Sequence, residues 1–213
     1  MKLNFNRIID LFLLKKDFYS KLNDKIMWLY VGIVFVGLRN VFFVAVNMIS
    51  SNEDSKNNFV LDFKTTGILI LTVLVVGFID LIAFSYPAFD TIKHFKNRKE
   101  SKSMSLVVIY SSQLTKVAKM YAIVNALITP IDLLYYFTGK MAVSYNSEIL
   151  IYISLVLKTL AYFWFNGAIT RGLCVLFKLP NNIRGIVFVL VFIWNALLSQ
   201  AIVYLLNLVL LRL

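Results

Sequence analysis

Four ionisable side chains stand inside otherwise apolar stretches of this chain: Arg39, Asp80, Asp132 and Lys158. Each would cost about 2.5 to 3.5 kcal/mol at the centre of a bilayer on insertion scales, so such groups must face an interior and find partners. Two are basic and two acidic, and the set can neutralise itself. A cluster of this kind supports either a relay for a proton or ion, or ion pairs that fix which helices pack together. Measured from the outer ends of their apolar runs, Arg39 is about ten residues deep and Asp80 about fifteen, roughly 15 and 22 Å at helical rise. Asp132 and Lys158 come out shallower, at roughly 9 and 13 Å. Depth therefore pairs Arg39 with Asp80, and Lys158 with Asp132. Pro130 is the only deep proline; in Thr129-Pro130-Ile131-Asp132 it marks a candidate helix kink beside a carboxylate.

The elements that hold these groups are legible as apolar runs. A span needs about 20 predominantly apolar residues to cross a hydrocarbon core of roughly 30 Å. Five windows meet that length or come close: Met27 to Ile49, Thr66 to Phe89, Met120 to Phe137, Ile149 to Thr170, and Gly185 to Leu211. With 60% hydrophobic and 15% charged residues in 213, and a mean hydropathy of +0.77, lipid is the expected solvent. The expected fold is an all-α integral membrane bundle of five transmembrane helices. Asn40, Asn125, Asn166, Asn195, Ser199 and Gln200 add neutral polar groups in or near the spans, suited to hydrogen bonds between helices. Gly32 and Gly37 are five apart, as are Gly167 and Gly172, so no GxxxG pair predicts a helix dimer.

Other chemistries are excluded or left without residues. Cys174 and His94 are the only cysteine and histidine, so one chain offers no disulfide, no Cys/His zinc site and no Cys/His catalytic pair. Neither a metal nor a cofactor is expected. The sequence lacks H-E-x-x-H, G-x-S-x-G, P-loop and G-x-G-x-x-G motifs, and an enzyme is not expected. Ile9-Asp10-Leu11, Ile79-Asp80-Leu81 and Ile131-Asp132-Leu133 share a tripeptide, but their surroundings do not align as a repeat.

The net charge of +11 follows from topology. Lys and Arg concentrate before the first window, between the second and third, and between the fourth and fifth, while the opposite side carries only Lys56, Lys64, Lys140 and Arg212. The positive-inside rule then puts the N-terminus in the cytoplasm and the C-terminus outside a cell membrane. The basic segment Lys93, Lys96, Arg98, Lys99 and Lys102 is expected to meet anionic lipid headgroups or a partner, and not nucleic acid, since no aromatic-interleaved basic groove accompanies it. Residues 1–26 carry Phe5, Ile8, Ile9, Phe12, Tyr19, Leu22 and Ile26 at helical spacing and predict a cytoplasmic amphipathic helix. From the cytoplasmic loop 90–119 onward, Leu106, Val107, Tyr110, Leu114, Val117 and Tyr121 predict a second one that runs into the third span of the 27–213 membrane domain. Such faces seat on the membrane or dock a partner, either another membrane protein or a second copy.

Ile9-Asp10-Leu11-Phe12, then Lys16-Asp17-Phe18-Tyr19-Ser20-Lys21-Leu22, then Trp28 opening an apolar span, resembles the start of bacterial members of the Yip family, the Rab-interacting-protein-like membrane domain. Five spans, an apolar helix at Leu106 to Tyr110 and a proline-containing third span extend the resemblance over most of the chain. It implies a non-enzymatic membrane protein that works through partners, a scaffold or accessory subunit, in bacteria sometimes beside ABC-type exporters. The Asp-Leu-x-Gly-Pro motif of eukaryotic members is absent, Asp80-Leu81 lacking the Gly-Pro, so small-GTPase binding is not carried over.

Overall fold

The computed structural model describes residues 16–20, 22, 26–51, 63–97 and 106–210, and every regular element among them is helical. A short α1 (Lys16–Ser20) precedes five long helices: α2 (Met27–Ser51), α3 (Phe63–Asn97), α4 (Leu106–Ser144), α5 (Glu148–Leu176) and α6 (Arg184–Leu210). A single 3-10 turn, Asn181–Ile183, leads into α6. All five long helices are long and apolar enough to cross a membrane, over Met27–Val46, Thr66–Lys93, Ser112–Ser144, Glu148–Leu176 and Asn181–Val209.

The helices outrun the apolar windows that predict them. α3 continues to Asn97 and α4 begins at Leu106, so the stretch read as loop 90–119 is largely helix. The stretch read as a second amphipathic helix is continuous with the third span. It is the first part of α4, a single 39-residue helix in which Val117 and Lys119 are already buried. At the other end, α4 passes Phe137 and runs through Gly139-Lys140 to Ser144. An apolar run measures the thickness of hydrocarbon to be crossed, whereas a helix, satisfying its own backbone, can continue into water. Pro130 lies within this unbroken helix and its ring is exposed.

Local stops are explicit. Between α4 and α5, Asn146 takes the left-handed conformation at φ 46°, which a short polar side chain tolerates, and the Ser147 amide donates back to the Ala142 carbonyl at 3.0 Å. α5 ends in a Schellman arrangement with Lys178 left-handed at φ 53°. There the Leu179 amide donates to the Cys174 carbonyl at 2.9 Å, and Pro180 then prevents further helix.

α2 packs on α3, α4 and α6, and α5 packs on α4 and α6. The closest approach joins α2 to α3 at Gly37 and Gly77. A Cβ on Gly37 would fall on the Val73 carbonyl, and one on Gly77 on the Ile33 carbonyl, so only glycine admits this spacing. α6 is tied to α3 by a different device. Pro87 cannot donate to the carbonyl four residues before it, and that orphaned acceptor, on Ala83, receives the Trp194 indole N–H at 3.0 Å.

The dry core fills the end of the bundle that holds α1. Phe84, Phe89, Val117, Met120, Ile169 and Leu173 are among its fully buried members. α1 belongs to this core and is not merely laid on a surface. Tyr19 is buried, its hydroxyl donates to the Ala168 carbonyl of α5 at 3.3 Å, and Phe18 and Leu22 pack alongside. Burial pushes the Tyr19 phenol up to about 12, with the positive charge of Arg171 pulling the other way. The earlier part of the predicted amphipathic helix, including Phe5, Ile8, Ile9 and Phe12, lies outside the described residues. So do Arg98, Lys99 and Lys102 of the basic segment, and the side chains of Lys96 and His94.

Candidate functional site: a charged cavity among five helices

Arg39 and Asn40 are consecutive on α2, and the 100° between successive helical positions sends them to different neighbours. Arg39 Nε donates to Asp132 Oδ2 of α4 at 2.7 Å, and Arg39 Nη1 donates to Asn125 Oδ1, about two turns before that carboxylate. Asn125 is itself oriented by donating Nδ2 to the Tyr121 carbonyl at 3.0 Å. Asn40 Nδ2 donates to Asp80 Oδ2 of α3 at 2.6 Å, and the Tyr121 hydroxyl donates to Asp80 Oδ1 at 2.9 Å. One network therefore binds α2, α3 and α4, with charge-assisted hydrogen bonds at both carboxylates.

The predicted pairing is corrected by this geometry. Arg39 is the partner of Asp132, not of Asp80, and Lys158 does not pair with Asp132. The reason is register. Arg39 and Asp132 each lie twelve residues from the ends of their helices at Ser51 and Ser144, hence at equal depth. Taking the third span to end at Phe137 makes Asp132 look about 10 Å too shallow. Asp80, 3% exposed, has neutral donors as its direct partners.

All four charges line one cavity of about 640 Å³. Every long helix contributes: Arg39 and Phe43 from α2, Asp80 from α3, Tyr121, Asp132 and Tyr135 from α4, Lys158, Tyr162 and Phe165 from α5, and Asn195, Ser199 and Gln200 from α6. Its deep end is closed by aromatic rings. Tyr121 stacks on Phe84 with centroids 4.1 Å apart and meets the edge of Phe165, over which the Arg39 guanidinium lies at 5.0 Å. On the α5–α6 side, Asn195 Nδ2 donates to Asn166 Oδ1 at 2.7 Å, fulfilling the interhelical role expected of these residues. Ser199 and Gln200 are exposed to the cavity.

Lys158 is exposed on the cavity wall, and among the described residues no side chain pairs with it. The four groups thus divide into a closed pair, Arg39–Asp132, and two groups, Asp80 and Lys158, with no ion-pair partner among the described residues. Sequence reading brings out the charges and the asparagines but misses Tyr121, which falls in an apolar stripe. Its signal was the spacing of four to Asn125, which puts the two on one face of α4. No group of three or more His, Cys, Asp or Glu side chains able to hold a metal occurs among the described residues.

By length and composition these five apolar helices define the class of multi-pass membrane proteins. Comparison with protein-family models, with curated proteins and with solved structures finds no match.

Proposed function

We propose that the chain is a non-enzymatic multi-pass protein of the cell membrane that binds a small polar or charged solute in its cavity and passes it across, as a small transporter. The observation that carries this reading is the cavity itself: five apolar helices expend intramembrane charge to line about 640 Å³, more space than ion pairs closed for packing alone require. With the N-terminus cytoplasmic, as the Lys and Arg distribution indicates, the dry core and α1 form the cytoplasmic floor and the cavity occupies the outer half. Asp80 is the carboxylate to test, because Asp132 is already neutralised by Arg39. Reconstituted in liposomes, the chain should move a charged or zwitterionic solute, and Asp80→Asn should reduce the flux at least tenfold while the protein stays monodisperse. Equal flux through Asp80→Asn would contradict the assignment.

A second reading, an accessory subunit beside another membrane complex, draws on the resemblance to the Yip family and on the docking of α1. Tyr19 anchors the N-terminal segment to α5 at the same end of the bundle as Arg171, Lys178 and Lys93, so a basic face is gathered there. Anionic headgroups or a partner would meet that face.

A further inference from the structure

A second cavity, sharing no lining residue with the charged one, opens on the flank of the bundle between α3 and α6. Pro87, Ala88 and Thr91 of α3 line it opposite Val187 and Val191 of α6, and the fully buried Leu173 of α5 lies behind. Small side chains on α3 leave a groove of about 180 Å³. Its rim at Thr91, Leu190 and Trp194 is exposed, so it opens sideways. Both walls belong to apolar spans, Thr66–Lys93 and Asn181–Val209, and what lies beside a span is lipid.

The lining selects hydrocarbon. Its polar side-chain groups are the Thr91 hydroxyl and the Trp194 indole N–H, and the indole already donates to the Ala83 carbonyl at 3.0 Å. A bound water needs about two to four polar partners, which this lining does not offer. An apolar cavity of roughly 150 Å³ stays dry and takes one benzene, so the groove admits hydrocarbon one chain thick and excludes a helix about 10 Å across. From Phe84 to Ile92 it follows about 12 Å of helix, the direction in which acyl chains lie. Left empty, its walls would forfeit dispersion contacts.

The end of the groove supplies the charge. Arg184, Val187, Val191 and Trp194 recur at helical spacing on one face of α6, so the stripe that lines the groove begins at an exposed arginine. Arg184 stands within electrostatic reach of Cys174, the neighbour of Leu173. Lys93 follows Ile92 on α3, which joins this end to the basic face that holds Arg171 and Lys178. Asp90 is about 100° round α3 from Thr91 and does not line the groove. We propose that this groove holds one acyl chain of an anionic phospholipid of the cytoplasmic leaflet, with the lipid phosphate at Arg184.

Native mass spectrometry of the full-length chain in mild detergent, with equal amounts of dioleoyl phosphatidylglycerol and dioleoyl phosphatidylcholine, reads the preference directly. One equivalent of phosphatidylglycerol should be retained about fivefold over phosphatidylcholine, the equivalent of about 1 kcal/mol for one arginine near an anionic surface. Dihexanoyl phosphatidylglycerol, with the same headgroup on short chains, should be retained far less. Arg184→Gln should remove the preference between headgroups, and Ala88→Leu, which fills the groove, should lower retention of both long-chain lipids. Equal retention of the two headgroups, short chains held as firmly as long ones, or a preference that survives Arg184→Gln would overturn the proposal. Undiminished retention in Ala88→Leu would do the same, because the groove would then belong to another occupant. The comparison of lipids on the unaltered chain stands even if a variant fails to fold.

Discussion

Asp132 and Lys158 are both ionisable groups on apolar spans, yet the structure gives them opposite roles. The Arg39 and Asp132 side chains are 21% and 6% exposed, so their contact is largely shielded from water. Removing one partner strands the other, and Asp132→Asn should destabilise the chain by about 3 kcal/mol. Lys158→Gln removes no contact and should fall within about 0.5 kcal/mol of the unaltered protein. Thermal unfolding in one detergent distinguishes the two, and the double variant Arg39→Gln with Asp132→Asn should recover part of the loss. A destabilised Lys158→Gln beside a neutral Asp132→Asn would reverse the assignment. The four charges are legible in the sequence because apolar surroundings single them out. Their partners are not, since pairing depends on where each helix ends, and Thr138, Gly139 and Lys140 interrupt the apolar run and conceal that α4 continues to Ser144.

At the scale of elements, all five apolar windows correspond to helices, because nothing but a self-satisfied backbone survives in hydrocarbon. Which helix touches which is less visible. Helices apolar on every side carry no face signal, and the contact that matters most joins single glycines on different helices, where no GxxxG spacing can announce it. Gly37 and Gly77 bring α2 against α3, and this closeness lets Asn40 reach Asp80. Gly77→Leu should therefore cost about 1 to 3 kcal/mol through overpacking. It should also weaken solute binding although it touches no cavity residue. Unfolding and binding measured on the same sample check this; unchanged binding with lowered stability would show that the Asn40–Asp80 contact does not depend on the approach of the two backbones.

For the whole molecule, the arrangement is a dry, aromatic-capped core at the α1 end and a polar cavity towards the other. Trp194 ties α6 to α3 where Pro87 leaves a carbonyl open, and Tyr19 fastens α1 to α5. Composition announces the membrane but not this polarity along the bundle, because Asn195, Ser199 and Gln200 read equally well as packing contacts until the position of α5 is known. A cavity that binds a solute as proposed must be filled with water and open to the side opposite α1. Cys174 is buried and is the chain's only cysteine, so a Cys174→Ser background leaves one thiol to place at will. Ser199→Cys and Gln200→Cys, in intact cells treated with a membrane-impermeant thiol reagent, should be modified from outside, and Leu197→Cys, exposed but apart from the cavity lining, should not. Ser199→Cys and Gln200→Cys as inert as Leu197→Cys would mean that water does not enter, and the account of a solute-binding cavity would be wrong.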